Sequence, residues 1–522
     1  MTHPHKGCKD NMITVINDKV VSVEIDDPEK ITSVIERSRE VDGKVWVYLG
    51  MGEMLILKNM GYDPPSPIRT QYDYPGKYKP FAHQVATAEF LTLNRKCFVL
   101  NEMGTGKTSS AIWAIDYLMT LGIIKRALVI APLSILDAAW KREFFKTAMH
   151  RKVEIAHGAR AKRAAIIESD AEVVIINFDG VGIVHKEIDR GGFDLIVIDE
   201  ATAYKNVATD RWKTLNKLIK DETYLIAMTG TPAAQSPADA YGLAKLINPK
   251  GVPRAFNAFR DLVQVKTSLF TYKNRPDAEQ TVYSVLQPAI RFTQAECLDL
   301  PELVYQTREV PLSLQQSKYY KMLKKEMLME ISGQEISAAN AAVAMNKLLQ
   351  VSAGCVYTDE GEVVEFDVTN RLNELLSVVD ETSHKVIVFV MYKHTIELVQ
   401  KHLQAEGHTV DVIHGGISAN KRATIFNDFQ TQPDPRILVI QPQAASHGVT
   451  LHAANCIIWW GITLSLETYL QANARIHRQG QVNNCTMVHL IGSSVEKKVL
   501  GVLENKGAAQ TKLLTLFKEV LE

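Results

Sequence analysis

The octapeptide NEMGTGKT at 101–108 sets two glycines before a lysine and a hydroxyl. Gly104 and Gly106 let the backbone turn tightly enough to aim several N–H groups at phosphate oxygens, and a helix opening just after them adds its positive end. Met103, Gly104, Thr105, Gly106, Lys107, Thr108 and Ser109 would then surround the phosphates. Lys107 would reach the β- and γ-phosphates, and Thr108 would hold Mg2+. Asn101 stands where the full pattern begins with glycine. Further on, the apolar run IVID ends in Asp199 and Glu200; the first would bind Mg2+ and the second would polarise an attacking water. Arg475 and Arg478, within QANARIHRQGQ (471–481), are three apart, so on a helix they share a face and can clamp a transferring phosphoryl group. Taken singly, these are a glycine turn, a solvated acidic corner and a basic helix face. Together they describe a nucleoside triphosphate gripped by groups from distant parts of one chain, assembled by domain closure.

Such groups need rigid strands behind them. Short β-branched runs alternate with amphipathic stretches, the signature of parallel sheets wrapped by helices. Strands are predicted at 97–101, 127–131, 172–177, 194–199 and 224–229, and a second series at 385–391, 410–414, 436–441, 455–460 and 485–491. The expected architecture is α/β: two tandem RecA-like parallel-sheet lobes, a helical insertion between them, and a small α+β N-terminal domain. The expected boundaries are 1–75 for the accessory domain and linker, 76–250 for lobe 1, 251–370 for the insertion, 371–510 for lobe 2 and 511–522 for a tail. Residues 1–75 read as β-α-β-β, with the Pro-rich 63–75 as the linker, and 233–380 reads as mostly helical.

Composition closes off other classes. With 59 basic and 59 acidic residues the chain is neutral, so a polycation is excluded and any nucleic-acid contact must be a local patch. The six cysteines, from Cys8 to Cys485, include no C-x-x-C pair, which fits a reducing compartment rather than a disulfide framework or a zinc site. No apolar run reaches the roughly 18 residues of a membrane span, and no signal-peptide core opens the chain. A cytoplasmic protein of a bacterium or phage-infected cell is expected, monomeric and without a membrane.

With these motifs placed, residues 78–510 resemble the Swi/Snf-type ATPases of helicase superfamily two. The landmarks fall in family order: HQ at 83–84, the glycine loop, APLSILDAAWKREF (131–144), DEATAYKN (199–206), TGTP (229–232), PAIRFTQAECLDLPELVYQTREVPLSLQQSKYY (288–320), FVMYKHT (389–395), HGGIS (414–418) and QANARIHRQGQ. Thr202, Ser446, Thr450 and Ala474 depart from the usual pattern. The resemblance implies that Gln84 reads adenine, Gln471 joins the nucleotide site, and Thr229 and Thr231 couple hydrolysis to DNA. It also implies that Pro132, Ser134, Tyr392 and Lys393 touch DNA, with Trp140 matching in the same segment as Pro132.

The activity implied is a DNA-dependent ATPase that translocates along duplex or branched DNA, remodelling forks, annealing strands or displacing bound proteins. The alternatives are an RNA- or single-strand-dependent superfamily-two helicase and a non-catalytic DNA-binding scaffold. The run 141–163 carries eight Lys/Arg against two Glu and reads as a flank of the DNA track. Trp459 and Trp460 read as core, with Trp460 also a candidate for the DNA side.

Overall fold

The computed structural model describes residues 13–233, 236–267, 272–297, 300–331, 338–358, 362–445 and 449–504; Cys8, Ser446 and the tail 511–522 lie outside the described residues. The chain forms two compact units, the first from residues 1–230, 245–249 and 286–293, the second from 231–244, 250–285 and 294–522.

In the first unit a seven-stranded parallel sheet runs in the order Ala289–Ile290, Lys96–Val99, Tyr224–Met228, Leu195–Asp199, Ala127–Ala131, Val173–Asn177, Val153–Ala156. Four of the five inner runs, ALVIA, VVIIN, LIVID and YLIAM, are buried at every position, as strands covered on both faces must be. The two edge strands were not expected. Val153–Ala156 is short and half-exposed, and Ala289–Ile290 is only 2 residues long, so neither carries an apolar run.

The second unit has a six-stranded parallel sheet, ordered Leu303–Glu309, Cys485–Ile491, Ala454–Trp459, Lys385–Phe389, Ile437–Ile440, Val410–Ile413. Its first strand corrects the reading of 251–370 as a helical insertion, because Leu303–Glu309 pairs along its whole length with Cys485–Ile491. LVYQTRE mixes apolar and polar residues because it is a half-exposed edge. A hairpin, Cys355–Tyr357 with Val363–Glu365, also breaks that stretch.

The N-terminal segment is an antiparallel sheet in the order Ile13–Asn17, Val20–Val23, Lys44–Tyr48, Ser38–Val41, with one more strand than the sequence reading allowed. Its first two strands form a hairpin whose turn is closed by Lys19 N–H donating to Asn17 Oδ1. Nor is 63–75 a free linker. Ile68 and Tyr74 are buried, and Tyr72 and Tyr74 pack edge-on against Tyr117 and Trp113 at 5.4 and 5.6 Å. The Tyr72 hydroxyl donates to the buried Asp116 carboxylate. Trp113, Asp116 and Tyr117 all belong to the helix Lys107–Thr120, whose Ile112, Ile115 and Leu118 face the parallel sheet. That helix is therefore buried all round, and residues 1–75 cannot be removed without uncovering Trp113 and Tyr117.

Candidate active site

The strand Lys96–Val99 hands the chain to the glycine loop at the carboxyl edge of the first sheet, where open α/β sheets receive ligands. Gly104 and Gly106 both have φ +79°, and a Cβ at Gly106 would lie 2.0 Å from Gln84 Nε2, so glycine is demanded twice over at 106. The helix then starts at Lys107, with the loop at its positive end. Lys107 Nζ donates to the Asn101 and Glu102 carbonyls at 3.0 and 3.3 Å. Thr105 is buried, and its hydroxyl donates to the Glu102 carbonyl at 2.8 Å.

Asn101, the departure from the glycine pattern, has a structural reason. Its side chain donates to Thr87 Oγ1 and accepts from Phe292 N–H, both at 3.0 Å, tying the loop to the returning edge strand. Gln84 is buried. Its Oε1 accepts from Phe81 N–H at 3.0 Å and its Nε2 donates to the Thr105 carbonyl at 3.3 Å, so the amide braces the loop. His83 Nε2 meets the same carbonyl at 2.8 Å. Ser109 donates to Glu143 at 2.7 Å, while Met103 on the loop and Thr108 in the first turn of the helix are half-buried.

Asp199 ends its strand 8 % exposed. Its Oδ2 accepts from Trp140 Nε1–H at 2.9 Å and its Oδ1 from Glu200 N–H at 3.1 Å. Burial pushes this carboxyl above the usual carboxylate range, against the pull of the Trp140 donor and the Lys107 charge. Glu200 sits at φ 52°, ψ 58°, a left-handed conformation that costs a non-glycine residue about 1 kcal/mol or more and persists only where neighbours impose it. Sequence reasoning missed Trp140 as a partner of Asp199; its role was hidden because indole and carboxylate are 59 residues apart. Trp140→Phe keeps the ring in the core but removes a donor to a charged group, an interaction of about 1.5–3 kcal/mol. The expected result is an ATP turnover roughly tenfold lower together with a melting temperature lowered by several degrees, because the fully buried indole also leaves volume unfilled; steady-state hydrolysis below the unfolding range and thermal unfolding read the two effects.

In the second unit the helix Leu466–Asn473 stops before the arginines. Arg475 and Arg478 occupy the turns after it rather than a helix face, which corrects the sequence reading: Asn473, the last helical residue, is held to the sheet by Trp459 Nε1, and the chain swings through Gly480 at φ +95°. The pair still converges, both donating to the Val449 carbonyl, at 3.1 and 3.3 Å. Arg475 also donates to the Gln471 carbonyl at 2.9 Å, and Gln471 Nε2 donates to Glu467 at 3.2 Å. Gln481 closes the turn, its Nε2 donating to the His452, Ala454 and Ile476 carbonyls.

Behind this turn the Tyr469 hydroxyl and His489 Nε2 are hydrogen-bonded at 3.0 Å, anchoring the helix to the strand Cys485–Ile491. Burial pushes the His489 imidazole down to about 4 from 6.5. The folded state therefore keeps it neutral while the unfolded chain takes up a proton below about pH 6.5, so stability falls as pH falls between those values. At pH 5 the loss is about 2 kcal/mol. Urea midpoints at pH 7 and 5 are expected to diverge more in the native chain than in His489→Asn.

A family model described as SNF2-related domain matches residues 49–358, and one described as helicase conserved C-terminal domain matches 367–480. The chain belongs to the SNF2-related family. An uncharacterized ATP-dependent helicase of Mycoplasma genitalium is 26% identical over 413 residues, 78% of this chain but 39% of that protein. Protein p41 of Acyrthosiphon pisum secondary endosymbiont phage 1 is 26% identical over 447 residues, 80% of this chain and 94% of its own length. Among solved structures, the Sulfolobus solfataricus SWI2/SNF2 ATPase core in complex with dsDNA aligns over 86% of this chain and 98% of its own at 21% identity, with a TM-score of 0.41. The match spans well under half of the Mycoplasma protein and nearly all of the phage protein.

The other residues predicted for this SNF2-related chain are placed less uniformly. Thr229 is buried, its N–H bonded to the Val99 carbonyl at 3.0 Å beside the glycine loop, and Thr231 follows two residues on. Pro132 is buried and Ser134 exposed, both following the strand Ala127–Ala131. Tyr392 gives its hydroxyl to Asn346 at 3.0 Å, and Lys393 lies at the start of the helix Lys393–Ala405. The basic run 141–163 is largely matched by carboxylates. Lys141, Arg142, Lys146, Arg151, Lys152 and Arg160 each pair with a carboxylate, and Arg163 is buried on the Ala156 and Gly158 carbonyls. Trp459 and Trp460 are both core, their indole N–H groups bonded to Asn473 and to the Ala353 carbonyl at 2.9 Å. No described helix is long and apolar enough to cross a membrane.

Proposed function

We propose that this protein is a DNA-dependent ATPase that couples hydrolysis to movement along duplex or branched DNA. The observation that carries the reading is the convergence, at one carboxyl sheet edge, of a lysine-bearing glycine loop and a buried carboxylate whose burial is countered by an indole donor and the lysine charge. Lys107 would leave its two loop carbonyls for phosphate oxygens, and the loop N–H groups would hold the remainder. Thr108 and Asp199 offer hydroxyl and carboxylate oxygens, a donor set that fits Mg2+, and the desolvated Asp199 gains most from a cation. The ion would neutralise phosphate charge and make the γ-phosphorus attackable. Glu200 would orient water and draw its proton as the γ-phosphoryl leaves ADP. Arg475 and Arg478 would stabilise the charge that develops there. Thr229 and Thr231 would relay the nucleotide state, and Pro132, Ser134, Tyr392 and Lys393 would lie along the DNA. Gln84 would meet the base only by giving up one of its loop bonds.

ATP turnover measured with duplex, four-way, single-stranded DNA and RNA tests the reading. Duplex or branched DNA should stimulate most. Equal or stronger stimulation by RNA would overturn it in favour of an RNA-dependent helicase.

A further inference from the structure

Resting on the proposed DNA reading, we infer that the outer face of the helix Leu314–Ile331 is a phosphodiester-binding surface, with Lys318, Lys321, Lys324 and Lys325 contacting the duplex backbone. The helix has a defined rotation. It is capped reciprocally: Gln316 N–H donates to Ser313 Oγ at 3.2 Å and Ser313 N–H to Gln316 Oε1 at 3.0 Å. Inward, Gln316 Nε2 donates to the Val351 carbonyl at 2.8 Å, Tyr319 packs on Phe366 at 5.1 Å, and the buried Tyr320 lies 3.3 Å from Ser494 Oγ. Lys318, Lys321 and Lys325 consequently face solvent, with Lys324 at the flank.

That face is charged at a cost. Lys318 and Lys321, Lys321 and Lys324, and Lys321 and Lys325 are like-charge neighbours at i,i+3 or i,i+4, each pair unfavourable by about 0.2–0.5 kcal/mol. None of the four has an acid three or four residues away in the sequence, and among the described residues none enters an ion pair. The contrast with 141–163 is direct, since there the cations are matched by carboxylates. At about 1.5 Å per residue the stripe from Lys318 to Lys325 is about 10 Å long, over which a duplex presents about six phosphate charges. Lysines, as point charges on flexible stems, suit phosphate oxygens approached from varied directions.

The test is the triple variant Lys318→Gln, Lys321→Gln, Lys325→Gln in the full chain. Glutamine matches lysine in helix propensity and relieves the repulsion, so the helix is retained. Duplex binding is followed by fluorescence anisotropy across a salt series. The slope of log K against log salt should become shallower by about 2.7, at about 0.9 for each phosphate no longer neutralised, with DNA-free ATP turnover unchanged. The same exchange at Lys141, Arg142 and Lys146 should leave the slope nearly as it was. Native binding with an unaltered slope in the helix variant overturns the surface alone. An unaltered duplex slope together with abolished binding to polyglutamate assigns the face to an acidic protein and also overturns it. A native chain that binds no duplex overturns both this surface and the DNA reading.

Discussion

Lys107→Ala is expected to lower ATP turnover on saturating duplex DNA by roughly 10²–10³-fold, the loss seen when one preorganised donor to a developing charge is removed. Two routes lead to that figure. The ammonium now held by the Asn101 and Glu102 carbonyls is the flexible cation of the loop and would follow the transferring phosphoryl group. Its charge also pulls down the pKa of the buried Asp199, so deleting it pushes that carboxyl further toward its neutral form, which is a poor ligand for a cation. Little buried apolar surface goes with it, because Lys107 is only partly buried at the helix start. The melting temperature should therefore stay within a few degrees while turnover collapses. Lys107→Arg should not rescue it, since a planar guanidinium does not fit the single-point geometry of the two carbonyls. A variant that retained full DNA-stimulated turnover would remove Lys107 from the reaction.

What the sequence made legible follows from where the signal is strong. Fully buried strands such as VVIIN and LIVID announce themselves because both faces need apolar side chains, and each lies within two residues of its expected place. The edge strands Val153–Ala156 and Leu303–Glu309 did not, because a half-exposed edge tolerates Glu, Gln and Arg, and Ala289–Ile290 did not because it is only 2 residues long. Gly104, Gly106 and Lys107 were readable because loop, lysine and helix are adjacent in the chain. Partners distant in sequence were not: Trp140 on Asp199, or Phe292 on Asn101, exist only once the parallel sheet has set its strand order. The Pro-rich 63–75 misled for a related reason. Proline is excluded only from a helix interior, so the helix Ile68–Gln71 can follow Pro67 directly, and proline says nothing about whether a segment is packed, as Tyr72 and Tyr74 are.

Arg478→Ala is expected to cost roughly 10³-fold in DNA-stimulated turnover with little change in stability, whereas Arg475→Ala should lose both. Arginines that stabilise a transferring phosphoryl group contribute about 10³–10⁵ in rate, and the two residues share the Val449 carbonyl. Their settings differ. Arg475 is 8 % exposed and bonded also to the Gln471 carbonyl, while its own carbonyl accepts from Leu451 N–H. Removing that side chain takes a donor from buried carbonyls, a penalty of about 1–3 kcal/mol that should appear in the urea midpoint. Arg478 is less buried than Arg475 and its bond to the Val449 carbonyl is long, at 3.3 Å, so truncating it takes less from the fold than truncating Arg475. Single-turnover hydrolysis separates chemistry from nucleotide binding: for Arg478→Ala the rate constant should fall while the apparent ATP affinity changes by less than about tenfold, the signature of an interaction made chiefly in the transition state. If the rate constant held and affinity alone fell, Arg478 would be a ground-state binder and the catalytic role would pass to Arg475.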